Sequence, residues 1–160
     1  MIRPATAADA AAICGIYNHY VLGTTVSFEE EAVDAGEMAR RIARVTEVHP
    51  WLVFEEEGEI LGYAYASRWK ERSAYRHSVE TTVYVKDGSH GKGIGTGLYR
   101  ELLGILRKDG FHAAMAGISL PNEKSQGLHE KLGFRKVAEF VETGMKFGKW
   151  INVGYWEYLF

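Results

Sequence analysis

The stretch Ser89–Leu103 reads SHGKGIGTGLYRELL, with glycine at 91, 93, 95 and 97 ahead of the apolar rhythm of a helix. Glycines let a backbone approach a ligand closely, and unbonded N–H groups at the positive end of a helix dipole favour phosphate oxygens. The register decides which phosphate. A Walker loop ends in Gly-Lys-Ser/Thr, but Lys92 is followed by Gly93. A dinucleotide fingerprint would need glycine at Thr96 or Leu98, and it belongs in the first strand-turn-helix of a domain, whereas four expected strands precede this one. A flexible turn is the alternative that composition alone allows.

Acid–base chemistry has two candidates. Glu80 stands mid-strand in HSVETTVYVK, where glutamate is disfavoured, on the face opposite Val79, Thr81, Val83 and Val85. Its ordinary reading is a charge turned to water. His129 lies between Leu128 and Leu132 on the border of a buried helical stripe, where a hydrogen-bonded core histidine is the ordinary reading. Asn122, after Pro121, has the place of a helix N-cap. In WKERSAYRH, Arg72 and Tyr75 could hold a carboxylate or phosphinate, arginine through its paired N–H fork, with Phe28 of TTVSFEEE packing on the rest of the ligand. A solvated basic loop is the alternative. Trp150, Asn152, Tyr155 and Trp156 could close the same region, or belong to core or dimer surface. The histidines show no His-Glu-x-x-His spacing and no Gly-x-Ser-x-Gly elbow occurs, so neither a metal nor an acyl-enzyme is expected.

Positioning these groups takes a core, and 160 residues with 46% hydrophobic positions are enough for one domain, residues 1–160. A formal net charge of −2 with dispersed Lys and Arg indicates neither a nucleic-acid tract nor an acidic tail. The lone Cys14 reads as a buried thiol and, with no partner for a disulfide, favours the cytoplasm. No apolar run approaches the roughly 20 residues that cross a bilayer, so no membrane partner is expected. A short IRPA strand leads through Thr6 and Asp9 into a helix to about Val21; Asp34 and Glu37 open a second helix. WLVFEE and EILGYAYASR form a hairpin at Gly58, and HSVETTVYVK is a further strand. Ile94, Leu98, Leu102 and Ile105 mark the helix after the glycines, AAMAGISL a strand, and Leu128 and Leu132 a fourth helix ending at Gly133; RKVAEFV and VGYWEYLF close the chain. This order predicts an α/β (α+β) fold: one mixed, largely antiparallel twisted sheet with helices on both faces.

VYV, a polar turn and GKGIG opening an amphipathic helix resemble the pyrophosphate-binding segment of the GNAT acyl-CoA N-acyltransferase superfamily, and LHEKLGF is similar to its later helix-to-strand segment. YNHYV, TTVSFEEE, VETTVYV, SLPNEKSQGLHEKLGF and GKWINVGYW resemble the phosphinothricin and methionine sulfoximine N-acetyltransferase branch. The resemblance implies acetyl-CoA as co-substrate, a small amine as acceptor, and a homodimer. It implies Glu80 as general base, His129 as acid for the leaving thiolate, and a main-chain N–H near Val85 for the thioester oxygen at a strand splay. For the cofactor it implies Val83, Val85, Lys86, Asp87, the run His90, Gly91, Lys92, Gly93, Ile94, Gly95 and Thr96, with Asn122 and Ser125. For the acceptor it implies Phe28, Arg72, Ser73, Tyr75, Glu80, Val83 and Tyr84. His90 departs from the usual Gln or Arg, and a neutral imidazole offers a single N–H. Acceptors of another kind, such as a different amine or a peptide N-terminus, a non-catalytic acyl-CoA sensor, and a small kinase are the rival functions.

Overall fold

The computed structural model describes residues 1–160. Strand β1 (Ile2–Pro4) leads through a 3-10 turn at Ala7–Asp9 into helix α1 (Ala10–Gly23). Thr6 N–H bonds Asp9 Oδ2 at 2.8 Å, and Arg3 grips the same carboxylate at 2.8 and 2.9 Å. Arg3 therefore holds the Asp9 carboxyl below the usual carboxylate range and ties the start of α1 to β1. Helix α2 (Ala35–Thr46) is capped by Asp34, whose side chain accepts the Glu37 N–H at 2.7 Å. There follow β2 (Trp51–Glu56), β3 (Glu59–Arg68), a 3-10 turn at Ser73–Tyr75, β4 (Ser78–Val85), α3 (Ile94–Lys108), β5 (Ala113–Ser119), α4 (Glu123–Lys131), β6 (Arg135–Lys146) and β7 (Lys149–Leu159).

The seven strands form one sheet in the order β1-β2-β3-β4-β5-β7-β6, antiparallel throughout except for β4 beside β5. Ile13, Ile16, Met38 and Ile42 of α1 and α2 pack on Trp51, Val53 and Tyr63 over one face. Leu98, Tyr99, Leu102 and Leu106 of α3 pack on Ala64, Val79, Ala114 and Trp156 over the other. Each fully buried Leu or Ile contributes roughly 1.5–3 kcal/mol, so the two layers clamp the sheet from both sides.

One detail departs from the sequence reading. The last hairpin is longer than RKVAEFV and VGYWEYLF: its arms run to Lys146 and from Lys149, and they turn at Phe147 and Gly148, both with positive φ. Register breaks at Lys136/Ala138 and Phe140/Gly144, with Glu142 also at positive φ, erase the alternation that would reveal the strand. Of the readings open for Trp156, the core is the one the fold takes: it is fully buried on the α3 side, its Nε1–H donating to Glu130 Oε1 at 3.2 Å. Trp150 is exposed instead.

Candidate active site

Strands β4 and β5 pair in parallel from Ser78/Ala113 to Glu80/Met115, then run on unpaired to Val85 and Ser119. Thr81 Oγ1 donates to the Met115 carbonyl at 3.3 Å, at the fork of this splay. On the other side of β4 the ladder continues, and Lys86 N–H bonds the Leu61 carbonyl of the β3 edge at 2.8 Å. Backbone groups alternate along a strand, so the N–H groups of Val83 and Val85 point into the opening. The Val85 carbonyl is already bonded, by the Tyr20 hydroxyl.

The loop beyond β4 carries Gly88, Gly91 and Gly93 at φ of +80°, and Gly93 stands as the N-cap of α3 without a side-chain cap. The first N–H to bond back is that of Gly97, to the Gly93 carbonyl at 2.9 Å, which leaves those of Ile94, Gly95 and Thr96 directed out of the helix start. Such a cradle fits a pyrophosphate. Away from the cradle the same two residues pack inward: the Ile94 side chain lies in the core, and Gly95 is buried where an added Cβ would meet Leu128 of α4. His90 is turned towards α1. Because Tyr20 donates its hydroxyl proton to Val85, the His90 Nε2 at 2.9 Å must donate to Tyr20 Oη. A neutral His90 then keeps no N–H for a phosphate. Lys92 is exposed, while Lys86 is paired with Glu59 and Asp87 faces His19.

A cavity of about 250 Å³ fills the splay, lined by Glu80, Thr82, Val83 and Tyr84 of β4, Gly117 and Ser119 of β5, Tyr99 of α3, and Asn122, Ser125 and His129 of the α4 region. Glu80 and Tyr84 also line a second, neighbouring cavity of about 520 Å³ with Val26, Phe28, Phe140 and Tyr155. Glu80 is thus the carboxylate shared by both. Burial pushes its pKa above the usual 4.5, and the charge of Lys70 offsets part of that shift. Asn122 does cap α4, accepting the Ser125 N–H at 3.2 Å.

His129 is 3% exposed and has both nitrogens engaged. Nδ1–H donates to the Ser125 carbonyl at 2.6 Å, and Nε2 lies 2.8 Å from Tyr99 Oη, which fixes Nε2 as the acceptor. Burial lowers its pKa, so it rests as a neutral imidazole. Tyr99, in turn 3.3 Å from Thr81 Oγ1, belongs to the site although nothing in the sequence singled it out; on α3 it reads as one more core position. Val26, Tyr65, Gly117 and Ser119 were equally silent. Arg72, Ser73 and Tyr75 lie exposed on the 3-10 turn between β3 and β4 and line neither cavity. Asn152 bonds the Glu142 N–H at 2.9 Å and serves the last hairpin.

A splayed parallel pair, an N–H-rich helix start beside it and a half-buried carboxylate at their junction define an acyltransferase fold. Residues 2–153 match the family model described as an acetyltransferase (GNAT) domain, and the chain belongs to that family. It is 44% identical over 156 residues to phosphinothricin N-acetyltransferase of Streptomyces viridochromogenes, covering 98% of this chain and 85% of the relative. It is 40% identical to the L-methionine sulfoximine/L-methionine sulfone acetyltransferase of Salmonella typhimurium, covering 95% and 90%. Among solved structures it is similar to a GNAT phosphinothricin acetyltransferase from Sinorhizobium meliloti in complex with AcCoA, with TM-score 0.95, 36% identity, and coverage of 99% and 87%.

Proposed function

We propose that this single-domain acetyltransferase moves the acetyl group of acetyl-CoA directly onto the amino group of a small amino acid analogue: phosphinothricin, methionine sulfoximine or methionine sulfone. The observation that carries the reading is the position of Glu80, shared by the splay cavity and the aromatic cavity beside it. The thioester enters between β4 and β5, its oxygen facing the N–H groups of Val83 and Val85, and its pyrophosphate rests on the Gly91–Thr96 cradle. The acceptor enters beside Phe28, Tyr84 and Tyr155. Glu80 takes one proton from the ammonium, directly or through water; the amine nitrogen attacks the carbonyl carbon, the C–S bond breaks, and the proton shed by the new amide nitrogen goes to sulfur. His129, neutral and bonded on both sides, supports a positioning role: it holds the Tyr99 hydroxyl at the cavity wall. The assignment of Arg72, Ser73 and Tyr75 to the acceptor's charged end rests on the family resemblance.

The names of the relatives support this acceptor class, and the cavity of about 520 Å³ lined by Phe28, Tyr84, Phe140 and Tyr155 has room for a small acceptor beside Glu80. A homodimer and a cytoplasmic location complete the proposal, supported by the apolar edge strand β6 and by the free Cys14. No helix is long and apolar enough to cross a membrane. The test is thiol release from acetyl-CoA across methionine sulfoximine, methionine sulfone, phosphinothricin, ordinary amino acids and a short peptide. We expect the largest kcat/KM among the first three; a higher value for the peptide or an ordinary amino acid would overturn the acceptor assignment.

A further inference from the structure

Lys146, at the end of β6, is 1% exposed and makes no ion-pair contact, although the charge of Glu30 acts on it from farther away. Its ammonium donates to two main-chain carbonyls instead: Val21 in the last turn of α1 at 2.6 Å, and Ser27 at 2.7 Å. Burial lowers its pKa, yet the negative end of the α1 dipole and two full acceptors favour the charge where it sits. The preceding carbonyl, that of Tyr20, is taken by Thr24 through both its N–H and its hydroxyl. Lys146 therefore completes the C-terminus of α1 and simultaneously fastens a segment downstream of it.

That segment matters because Val26 and Phe28, either side of Ser27, line the cavity that holds Glu80. The Ser27 hydroxyl is engaged as well, with Tyr17 Oη at 2.9 Å. A second contact from the same strand reaches the same wall: a Cβ on Gly144 would lie 2.3 Å from Phe28 Cε2, so the ring rests directly on the β6 backbone. We propose that Lys146 is a positioning residue for acceptor specificity, a charged latch by which the β6–β7 hairpin sets the Val26–Phe28 wall of the acceptor cavity. The inference rests on the acceptor reading of that cavity. It differs from a general stabilising role because Lys146 bonds nothing in the β4–β5 splay or the glycine cradle, and of the wall it sets only Val26 also reaches the splay cavity, so acetyl-CoA binding should feel its loss far less than acceptor binding.

The experiment compares wild type with Lys146→Met by hydrogen exchange and steady-state kinetics. Losing two charge-assisted hydrogen bonds should speed exchange of residues 22–30 and raise the acceptor KM about tenfold, with the acetyl-CoA KM changed by less than about twofold. Unchanged exchange in that segment overturns the latch. Faster exchange with an unmoved acceptor KM overturns the positioning role while leaving the Glu80 reading to the acceptor panel. Gly144→Ala displaces the Phe28 ring and keeps the ammonium, so it serves if Lys146→Met does not fold. It should raise the acceptor KM selectively, and equal shifts in both KM values would sink the inference.

Discussion

Glu80 is half-buried and His129 buried, and burial acts on them in opposite senses. It raises the carboxyl above its ordinary 4.5 and lowers the imidazole below its ordinary 6.5. A base must be deprotonated to work, so kcat/KM should climb with pH through the raised pKa of Glu80, giving an acid limb above 4.5. Glu80→Gln should lower kcat by about 10²-fold or more and flatten that limb, with acetyl-CoA binding kept; an unaltered profile removes Glu80 from the proton transfer. For His129 the consequence is one of stability. The unfolded imidazole takes a proton below pH 6.5, the folded one resists it, so stability present above 6.5 is lost as pH falls towards the depressed folded pKa. His49, also depressed by burial, adds to the same slope, so the difference between wild type and His129→Gln isolates the one residue. Urea midpoints at several pH values should show a shallower decline for the variant, and parallel curves would refute the neutral-imidazole assignment. A mid-strand glutamate opposes a local propensity and drew notice to Glu80, but its ordinary reading was a charge turned to water, and only the family resemblance implied a base. Tyr99 violated none: a tyrosine in an amphipathic helix is unremarkable until a histidine 30 residues away meets its hydroxyl at 2.8 Å.

At the scale of elements, the site is a gap between strands and the start of a helix, and each is held by a feature with a different degree of sequence visibility. The glycine run announced the helix start directly, through the need for open backbone. Gly93 shows the requirement: its φ of +80° lies in the left-handed region, and no heavy atom stands within 4 Å of where a Cβ would be. Substitution there strains the backbone alone, by about 1–2 kcal/mol, without filling space. Gly93→Ala should therefore tilt the first turn of α3, raising the acetyl-CoA KM while leaving the acceptor KM within about twofold, the reverse of the Lys146→Met pattern. A rise confined to the acceptor would show that the cradle has been placed on the wrong substrate. The long β6–β7 hairpin was not legible. Its turn puts Phe147 at φ +53°, a residue that signals no turn, and the breaks around Glu142 shift side chains between faces, so no strand-like period survives across residues 136 to 144. Yet that hairpin supplies Phe140 and Tyr155 to the cavity proposed for the acceptor. The cofactor half of the site could be read from a local motif; the acceptor half depends on pairing between distant segments.

The molecule as a whole leaves one end of its sheet bare. Strand β6 is the terminal strand, and Val137, Phe140, Val141 and Met145 are all at least half exposed, Val141 at 72%. Phe147 and Trp150 extend the apolar surface around the turn. An edge strand of twelve residues with apolar side chains on its surface invites pairing or aggregation, and soluble proteins normally blunt such edges with charge or cover. Here Lys136 and Glu139 pair with each other near the start of the strand, and the apolar residues lie mainly beyond them. Covering this surface with a second copy would satisfy it by self-complementarity, the usual geometry of a two-fold dimer. Val141 lines neither cavity and makes no side-chain hydrogen bond, so Val141→Asp perturbs the surface without touching the chemistry directly. Sedimentation should give wild type at twice the 18.0 kDa chain mass and the variant at or near the single-chain mass. Because Phe140 belongs both to this strand and to the acceptor cavity, loss of the dimer should also raise the acceptor KM, more than it affects that of acetyl-CoA. A wild-type monomer, or a variant that remains a dimer, would exclude β6 as the interface and leave the acceptor wall to be held by Lys146 and Gly144 alone.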